Sequence, residues 1–251
     1  MDEATVEKLL RDGERIDDLE VNGFRIIQNP SFFCFGMDAV LLSAFAGMKP
    51  KDRVMDLGTG TGIIPLLLLA KGKCTAADGL ELQEDVAEMA GRSVLLNRVS
   101  DRCRIINGDI REITEHFPKE AYDAVTSNPP YIAGNDGLHN ETSARNIARH
   151  EIAVTLEDVV RGAAHLLRQG GTFAMVHKPF RLPEIMELMK KYKLEPKRMQ
   201  LVQPYIGKEP NMVLIEAVKG GNPFLTVLPA LVVYEEGGGY TKELLSRYGK
   251  V

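Results

Sequence analysis

From Arg53 to about residue 218 the chain alternates short apolar runs with amphipathic stretches of helical spacing. "RVMDLG" reads as a short buried strand, and "GIIPLLLLAKG" as a helix closed by Lys71 and Gly72. "CTAADGLEL", "CRIINGD" and "YDAVTS" read as further strands, with the amphipathic helix "EDVAEMAGRSVLLNRV" between the first two. Beyond a long polar stretch (132–150) come "LEDVVRGAAHLLRQGG", "TFAMVH", "LPEIMELMKKY", "RMQLVQP" and "NMVLIEAV". Such alternation predicts an α/β, doubly wound parallel sheet with helices on both faces. "RMQLVQP" and "NMVLIEAV" follow each other without a clear helix, which predicts an antiparallel last strand.

The ends of the chain differ. Residues 3–12 have helical spacing, and "RIDDLEVNGFRIIQN" predicts a hairpin whose Asn22-Gly23 favours a type I′ turn. "MDAVLLSAFAGM" (37–48) predicts a helix with Asp38 near its positive end. After "KGGNPF" the pattern breaks, and the remainder reads as an extended segment plus a short helix. The expected division is 1–35 for the N-terminal helix and hairpin, 36–218 for the main domain, and 219–251 for an appendage.

The 251 residues are ample for a real core, and the composition (44% hydrophobic, 26% charged) is that of a soluble globular protein. A net charge of −4 argues against unspecific adhesion to nucleic acid or anionic membrane, though not against a local basic patch. Three widely spaced cysteines, with no CxxC, suggest neither a disulfide framework nor a zinc site. No histidine spacing suggests a metal, the start is no signal peptide, and "IIPLLLLA" is too short to span a bilayer. A cytoplasmic protein without a metal is expected.

Candidate chemistry begins at "VMDLGTGTGII" (54–64), which sets Gly58, Gly60 and Gly62, with Thr59 between the first two, where a strand passes into a helix. A nicotinamide-binding loop needs glycine where Ile63 stands, and no GK[ST] follows for a nucleotide phosphate. The spacing D-x-G-x-G-x-G is that of S-adenosylmethionine sites. An anionic Asp56 can face the cofactor's amino group, and the helix start after Gly62 its carboxylate. Glu81 ends the second strand, where a carboxylate can accept both ribose hydroxyls. Asp109, in "INGD", can accept from the adenine amino group, with Leu82 and Ile110 packed on the ring. Acids at strand ends are often merely solvated; it is their succession at the ends of successive strands that points to a cofactor.

"SNPPY" ends the fourth strand because prolines cannot sit inside one. Taken alone it is a stiff exit turn. Beside a sulfonium methyl, however, Asn128 and the Pro129 carbonyl can bind the hydrogens of a planar amino group, Pro130 stiffens the turn, and Tyr131 can stack on a base.

"DLGTGTG", "GLELQ", "NGD" and "SNPPY" together resemble the class I amino-methyltransferases that modify nitrogen. With "FFCFGMDAVLLSAFA" and "HKPFRLPEIM" the chain is similar, over about residues 15–218, to the tRNA (adenine-N6) methyltransferases acting on valine tRNA. That resemblance implies a seven-stranded Rossmann-like sheet with its last strand antiparallel, bound S-adenosylmethionine, and NPPY at the target amine. It also implies that Phe35, Gly36 and Asp38 lie in the segment closing over the cofactor's methionine end. Phe35 and Met37 stand where better-characterised members carry other residues.

For an RNA substrate, Arg145, Arg149, His177, Lys178 and Arg181 are candidate contacts at the active edge. Arg145 and Arg149 are equally read as ion-pair partners of Glu141 or Glu151, and Lys190 to Arg198 as a solvated face. Alternatives are a protein glutamine-N5 methyltransferase, whose longer helical domain before the glycine loop is missing here, and a guanine-N2 RNA methyltransferase. A non-catalytic cofactor-binding or RNA-binding homologue is the alternative of a different class.

Overall fold

The computed structural model describes residues 8–32, 34–130 and 154–249. The main sheet holds β3 (Arg53–Leu57), β4 (Ala76–Glu81), β5 (Ile105–Asn107), β6 (Tyr122–Ser127), β7 (Leu167–His177), β8 (Leu194–Gln203) and β9 (Met212–Lys219). Two short strands, β10 (Thr226–Val227) and β11 (Leu231–Val232), complete it. The strand order is β10-β8-β9-β7-β6-β3-β4-β5, with β11 also paired to β8. All neighbours are parallel except β9, which runs antiparallel to both β7 and β8. The seven strands expected from the sequence are therefore present with the expected antiparallel last strand. The tail extends the sheet to nine.

Apolar residues on opposite faces of these strands fill two cores. Val54, Ala77, Ala124, Ala174 and Leu214 face α1 (Met37–Phe45) and α2 (Ile63–Ala70). Met55, Leu57, Val125, Phe173 and Ile215 face α5 (Leu156–Leu166) and α6 (Leu182–Lys191). Two shorter-range helices, α3 (Glu84–Leu96) and α4 (Ile113–His116), flank β5 in sequence. Every residue of α2 is buried, as its unbroken apolar sequence requires.

The hairpin of β1 (Arg15–Asp18) and β2 (Arg25–Gln28) forms a separate two-stranded sheet. Asn22 and Gly23 both have positive φ (50° and 71°), and Phe24 N donates to Val21 O at 3.0 Å, as a type I′ turn requires. Asn22 Nδ2 ties this turn to Ala70 O at the end of α2. The other edge of β2 is stitched to α3: Ile27 N donates to Ser93 Oγ, and Asn97 both accepts from Arg25 N and donates to Arg25 O. Residues 8–12, expected to close a helix, run as turns.

The tail is part of the core. Leu231, Val233 and Leu244 are buried in the cluster that holds α1 and α2, and α7 (Lys242–Arg247) is capped by the Thr241 side chain. Lys71 Nζ donates to Arg247 O, fastening this end to α2. Among the described residues, no helix is long and apolar enough to cross a membrane.

Candidate active site

Strand order departs from β3 in both directions, toward β4 on one side and β6 on the other. The carboxyl ends of these strands are where doubly wound sheets bind ligands. The loop leaving β3 holds Gly58, Gly60 and Gly62 at φ of +68°, +55° and +79°, a conformation that other residues enter only with strain. It is pinned to β4, because Gly58 N and Thr59 N both donate to Leu80 O, at 2.9 and 3.0 Å. A Cβ at Gly58 or Gly60 would meet nothing within 4 Å, so both open onto a free face; one at Gly62 would lie 3.3 Å from Ala90 Cβ. Gly62 thus serves helix packing, while Gly58 and Gly60 leave room for a close approach.

Gly79, in the middle of β4, supports the loop from behind. A Cβ there would come within 2.7 Å of the Thr59 Cγ2 and Oγ1 atoms, and Thr59 is buried and β-branched. Gly79→Ala is expected to push the loop forward, costing about 1–3 kcal/mol in stability and weakening cofactor binding roughly tenfold. Thermal melting and isothermal titration with S-adenosylhomocysteine check both, and wild-type affinity would show that the loop tolerates the shift.

Asp56 lies wholly inside the protein. Its Oδ1 accepts from Thr126 Oγ1 at 2.6 Å, and Oδ2 has no bond of ordinary geometry, although the Thr59 hydroxyl is near enough to steady it. Burial, partly offset by those hydroxyls, pushes its pKa up to about 7. Asp56 therefore ionises far less readily than the full anion expected from the sequence. Since this pKa lies above the ordinary 3.8, the stability linked to the bound proton is complete below about pH 4 and is lost as pH rises through 7. Asp56→Asn is therefore expected to remove a fall in melting temperature between pH 4 and 8. Parallel pH profiles for the two proteins would refute this.

Glu81 is buried, with Oε2 accepting from Gly60 N at 2.8 Å and Oε1 from Gln83 N at 3.0 Å. It links the glycine loop to the start of α3, and each oxygen retains a lone pair for a hydroxyl. Asn107 Nδ2 donates to both Glu81 O and Leu82 O, holding the end of β4 against β5. Sequence reasoning assigned no role to Asn107 or Thr126, although both stand at strand ends inside quoted motifs.

Asp109 caps the short 3-10 turn Ile110–Glu112. Its carboxylate accepts from Arg111 N at 2.8 Å and from Arg111 Nε and Nη2, and this guanidinium holds it below the usual carboxylate range. An adenine amino group must therefore share these oxygens with Arg111. Ile110 is buried in the core beside α5, leaving Leu82 as the exposed apolar residue at this corner.

Phe35, Gly36 and Asp38 start α1. Phe35 N donates to Gln28 Oε1 at 3.2 Å, and Asp38 Oδ1 accepts from Ala39 N at 2.9 Å. A Cβ on Gly36 would sit 2.8 Å from Asp38 Oδ1, so the residue before the helix has to be small. Phe35, Ile63, Leu67, Lys71 and Tyr248 line a cavity of about 100 Å³ that the hairpin closes.

At the end of β6, Ser127 pairs in register with Leu57, and Ser127 Oγ donates to Leu57 O at 2.9 Å. Asn128 consequently leaves the sheet beside Gly58, one strand spacing away, about 5 Å. Asn128 is half-buried, Pro129 buried and Pro130 exposed. Tyr131, Arg145 and Arg149 lie outside the described residues.

His177 is a correction. It is 2% exposed, its Nδ1 accepts from Lys178 N at 2.7 Å, and burial lowers its pKa to about 4. A neutral buried ring offers no cation to a phosphate. Lys178 and Arg181 follow at the same edge, with Arg181 bonded to Glu184 at 2.7 and 2.9 Å. In the run from 190 to 198, Lys191 pairs with exposed Glu157. Arg198 instead turns inward to Glu216, Phe45 O and the face of the Phe45 ring.

The open face at Gly58 and Gly60 and the buried Asp56 oxygen suit a polar ligand that the backbone approaches closely. Glu81 and Asn128 beside it have the chemistry for hydroxyl and amino groups. Together these residues fit S-adenosylmethionine. Among the described residues, no group of three His, Cys, Asp or Glu side chains is placed to hold a metal ion.

Comparison with known proteins agrees. The chain is 32% identical over 199 residues to a tRNA1(Val) (adenine(37)-N6)-methyltransferase of Porphyromonas gingivalis, covering 77% of each chain. A protein of the same name from Aeromonas salmonicida is 29% identical over 207 residues, 82% of this chain and 84% of its own. Among solved structures, a predicted O-methyltransferase from Agrobacterium tumefaciens superposes with a TM-score of 0.68 at 24% identity, over 85% of this chain and 96% of that one. TYW2 of P. horikoshii in complex with MeSAdo gives 0.59 at 16% identity, over 84% and 73%. The methyltransferase small domain model matches residues 24–194, the span that carries the glycine loop, the acids of β4 and β5 and the Asn-Pro-Pro turn, and the chain belongs to that family.

Proposed function

We propose that the protein transfers a methyl group from S-adenosylmethionine to N6 of an adenine in tRNA, with adenine 37 of a valine tRNA as the target. The observation that carries this reading is the register of β6 on β3, which sets Asn128 and Pro129 beside the open face of the glycine loop. The cofactor, when bound, supplies an electrophilic methyl on a sulfonium, which is already a good leaving group.

What remains for the protein is positioning and charge. Gly58, Thr59, Gly60 and Gly62 cradle the cofactor's methionine part next to Asp56, with Phe35, Gly36 and Asp38 closing over it. Glu81 takes the ribose, and Leu82 and Asp109 the base, with Ile110 behind them in the core. The N6 nitrogen of adenine has its lone pair conjugated into the ring. Asn128 Oδ1 and the Pro129 carbonyl, both acceptors, take one N–H each and draw that nitrogen toward tetrahedral geometry, with Tyr131 stacked on the ring. Pro129 is buried with its φ fixed by its ring, and Pro130 after it restricts its ψ, so its carbonyl direction is fixed. No strong general base is required, because the proton leaves an already cationic product nitrogen.

The test is methyl transfer from labelled S-adenosylmethionine to unmodified tRNA, ribosomal RNA and release factor offered in parallel. N6-methyladenosine in tRNA, mapped to position 37, is the expected product. Label in release factor would replace this reading with glutamine methylation, and label as N2-methylguanosine with guanine methylation.

A further inference from the structure

Beyond the target adenine itself, the carboxyl edge of the sheet carries a row of exposed rings. Four aromatic residues among the described ones are exposed: Phe180, Tyr205, Phe224 and Tyr240, at 58%, 42%, 75% and 46%. Phe224 precedes β10, but the other three stand past the carboxyl ends of neighbouring strands. Phe180 lies three residues after β7, whose His177 pairs with Val213 of β9. Val213 pairs in turn with Leu201 of β8, and Gln203 at the end of β8 with Val232 of β11. The row therefore starts one strand from Asn128 and runs outward over β7, β9, β8 and β11, roughly 15 Å at the usual strand spacing.

The outer rings are held as a set. Tyr205 packs on Tyr234 with centroids 5.3 Å apart, Tyr234 on Tyr240 at 5.5 Å, and Tyr240 on Tyr248 at 6.3 Å. Tyr234 and Tyr240 also bridge through their backbones, and Thr241 Oγ1 donates to Val232 O. Two chain segments far apart in sequence thus present ordered rings, with Tyr205 at one end of the stack and Tyr240, between Tyr234 and Tyr248, still partly in solvent. Ordered exposed rings lose little entropy on stacking, and every base has a face to stack on them. Lys178 and Arg181 flank Phe180 in sequence and Lys208 follows Tyr205, cations of the kind a phosphodiester strand requires, whereas Glu235 and Glu236 stand near the outer rings, so the charge favours the inner part of the row.

We infer that Phe180, Tyr205 and Tyr240 form a stacking track for the single-stranded nucleotides that flank the target adenine. This rests on the tRNA reading above. The occupant follows from continuity with the Asn-Pro-Pro turn and from the pairing of rings with cations. A strand entering at Asn128 crosses β7 and meets Phe180 first.

The experiment compares Phe180→Ala and the Tyr205→Ala/Tyr240→Ala pair with wild type, using an unmodified valine tRNA and its isolated anticodon stem-loop. Each variant is expected to raise KM for tRNA, and the filter-binding Kd, about 5- to 100-fold. Cofactor affinity should stay at the wild-type value in both, as should the melting temperature of Phe180→Ala. The double variant loses three ring–ring contacts and melts lower, so its folded state is checked by its cofactor affinity. Phe180→Tyr should restore RNA affinity by restoring a ring. Wild-type KM and Kd in both alanine variants would overturn the track. If the wild-type chain methylates no tRNA, the functional reading fails separately. The track then also falls if the stem-loop binds wild type and Phe180→Ala equally.

Discussion

Asn128→Ala is expected to lower methyl transfer to tRNA by about 10²–10³-fold in kcat, the cost of losing one preorganised polar group at the reacting atom. The effect is large because the position of Asn128 is fixed by the strand it ends and by the turn it opens. Its strand is clamped by Ser127 Oγ on Leu57 O, and Pro129 and Pro130 stiffen the turn that follows it. The Pro129 carbonyl survives the substitution, so one acceptor remains and activity does not vanish. The loss should fall on kcat, with cofactor affinity changed by less than about tenfold, because Asp56, Glu81 and the glycine loop are untouched. Single-turnover rates at saturating cofactor and tRNA measure it. A variant within threefold of wild type would remove Asn128 from the chemistry.

The largest expected effect on stability lies far from that turn. Arg92 is 10% exposed and Glu14 only 4%. The guanidinium donates to both Glu14 oxygens, at 2.5 and 2.6 Å, to Glu88, and to the Leu9 carbonyl. This side chain ties the N-terminal extension to α3, alongside Arg11 on Glu88 and the backbone bonds of β2 to Ser93 and Asn97. Arg92→Ala leaves the Glu14 carboxylate buried without its partner and is expected to cost about 3–5 kcal/mol, about 10 °C in melting temperature. Replacing both residues by apolar ones, Arg92→Met with Glu14→Leu, should recover most of the loss, because the penalty comes from the orphaned charge more than from the missing attraction. Arg92 holds the Glu14 pKa below its ordinary 4.5. That stabilisation is present above pH 4.5 and is lost as pH falls below it. The wild type should therefore lose its advantage over Arg92→Ala in acid, and an equal gap at pH 4 and pH 7 would contradict the assignment.

Much of the fold was legible because its elements declare themselves locally. Apolar runs of strand length alternate with amphipathic runs of helix length, and Asn22-Gly23 announces its own turn. The tail was not legible as sheet, because β10 and β11 are two residues each and exist only through pairing with β8. In the candidate site, the glycine loop and the acids stand at the strand ends where their motifs placed them. What the motifs could not convey was competition for each carboxylate. Asp109 is engaged by Arg111 two residues on, Glu81 by two backbone amides, and Asp56 is buried deeply enough to keep a proton. The burial of His177 had a signal in the sequence. Phe173, Met175 and His177 alternate along β7 and share one face, so the histidine inherits the burial of the other two.

The pairing of the tail with β8 sets a clock on biosynthesis. β8 ends at Gln203, and its outer edge is not covered until Thr226–Val227 and then Leu231–Val232 arrive. At typical translation rates that interval, roughly 30 residues, lasts a few seconds. For that time a ten-residue strand with Met199, Leu201 and Val202 on it shows a bare row of amides and carbonyls to other nascent chains. Crowded polysomes and fast induction at high temperature are therefore the conditions under which the newly made chain is most prone to aggregate, before β10 and β11 pair with Arg198, Met199, Val202 and Gln203.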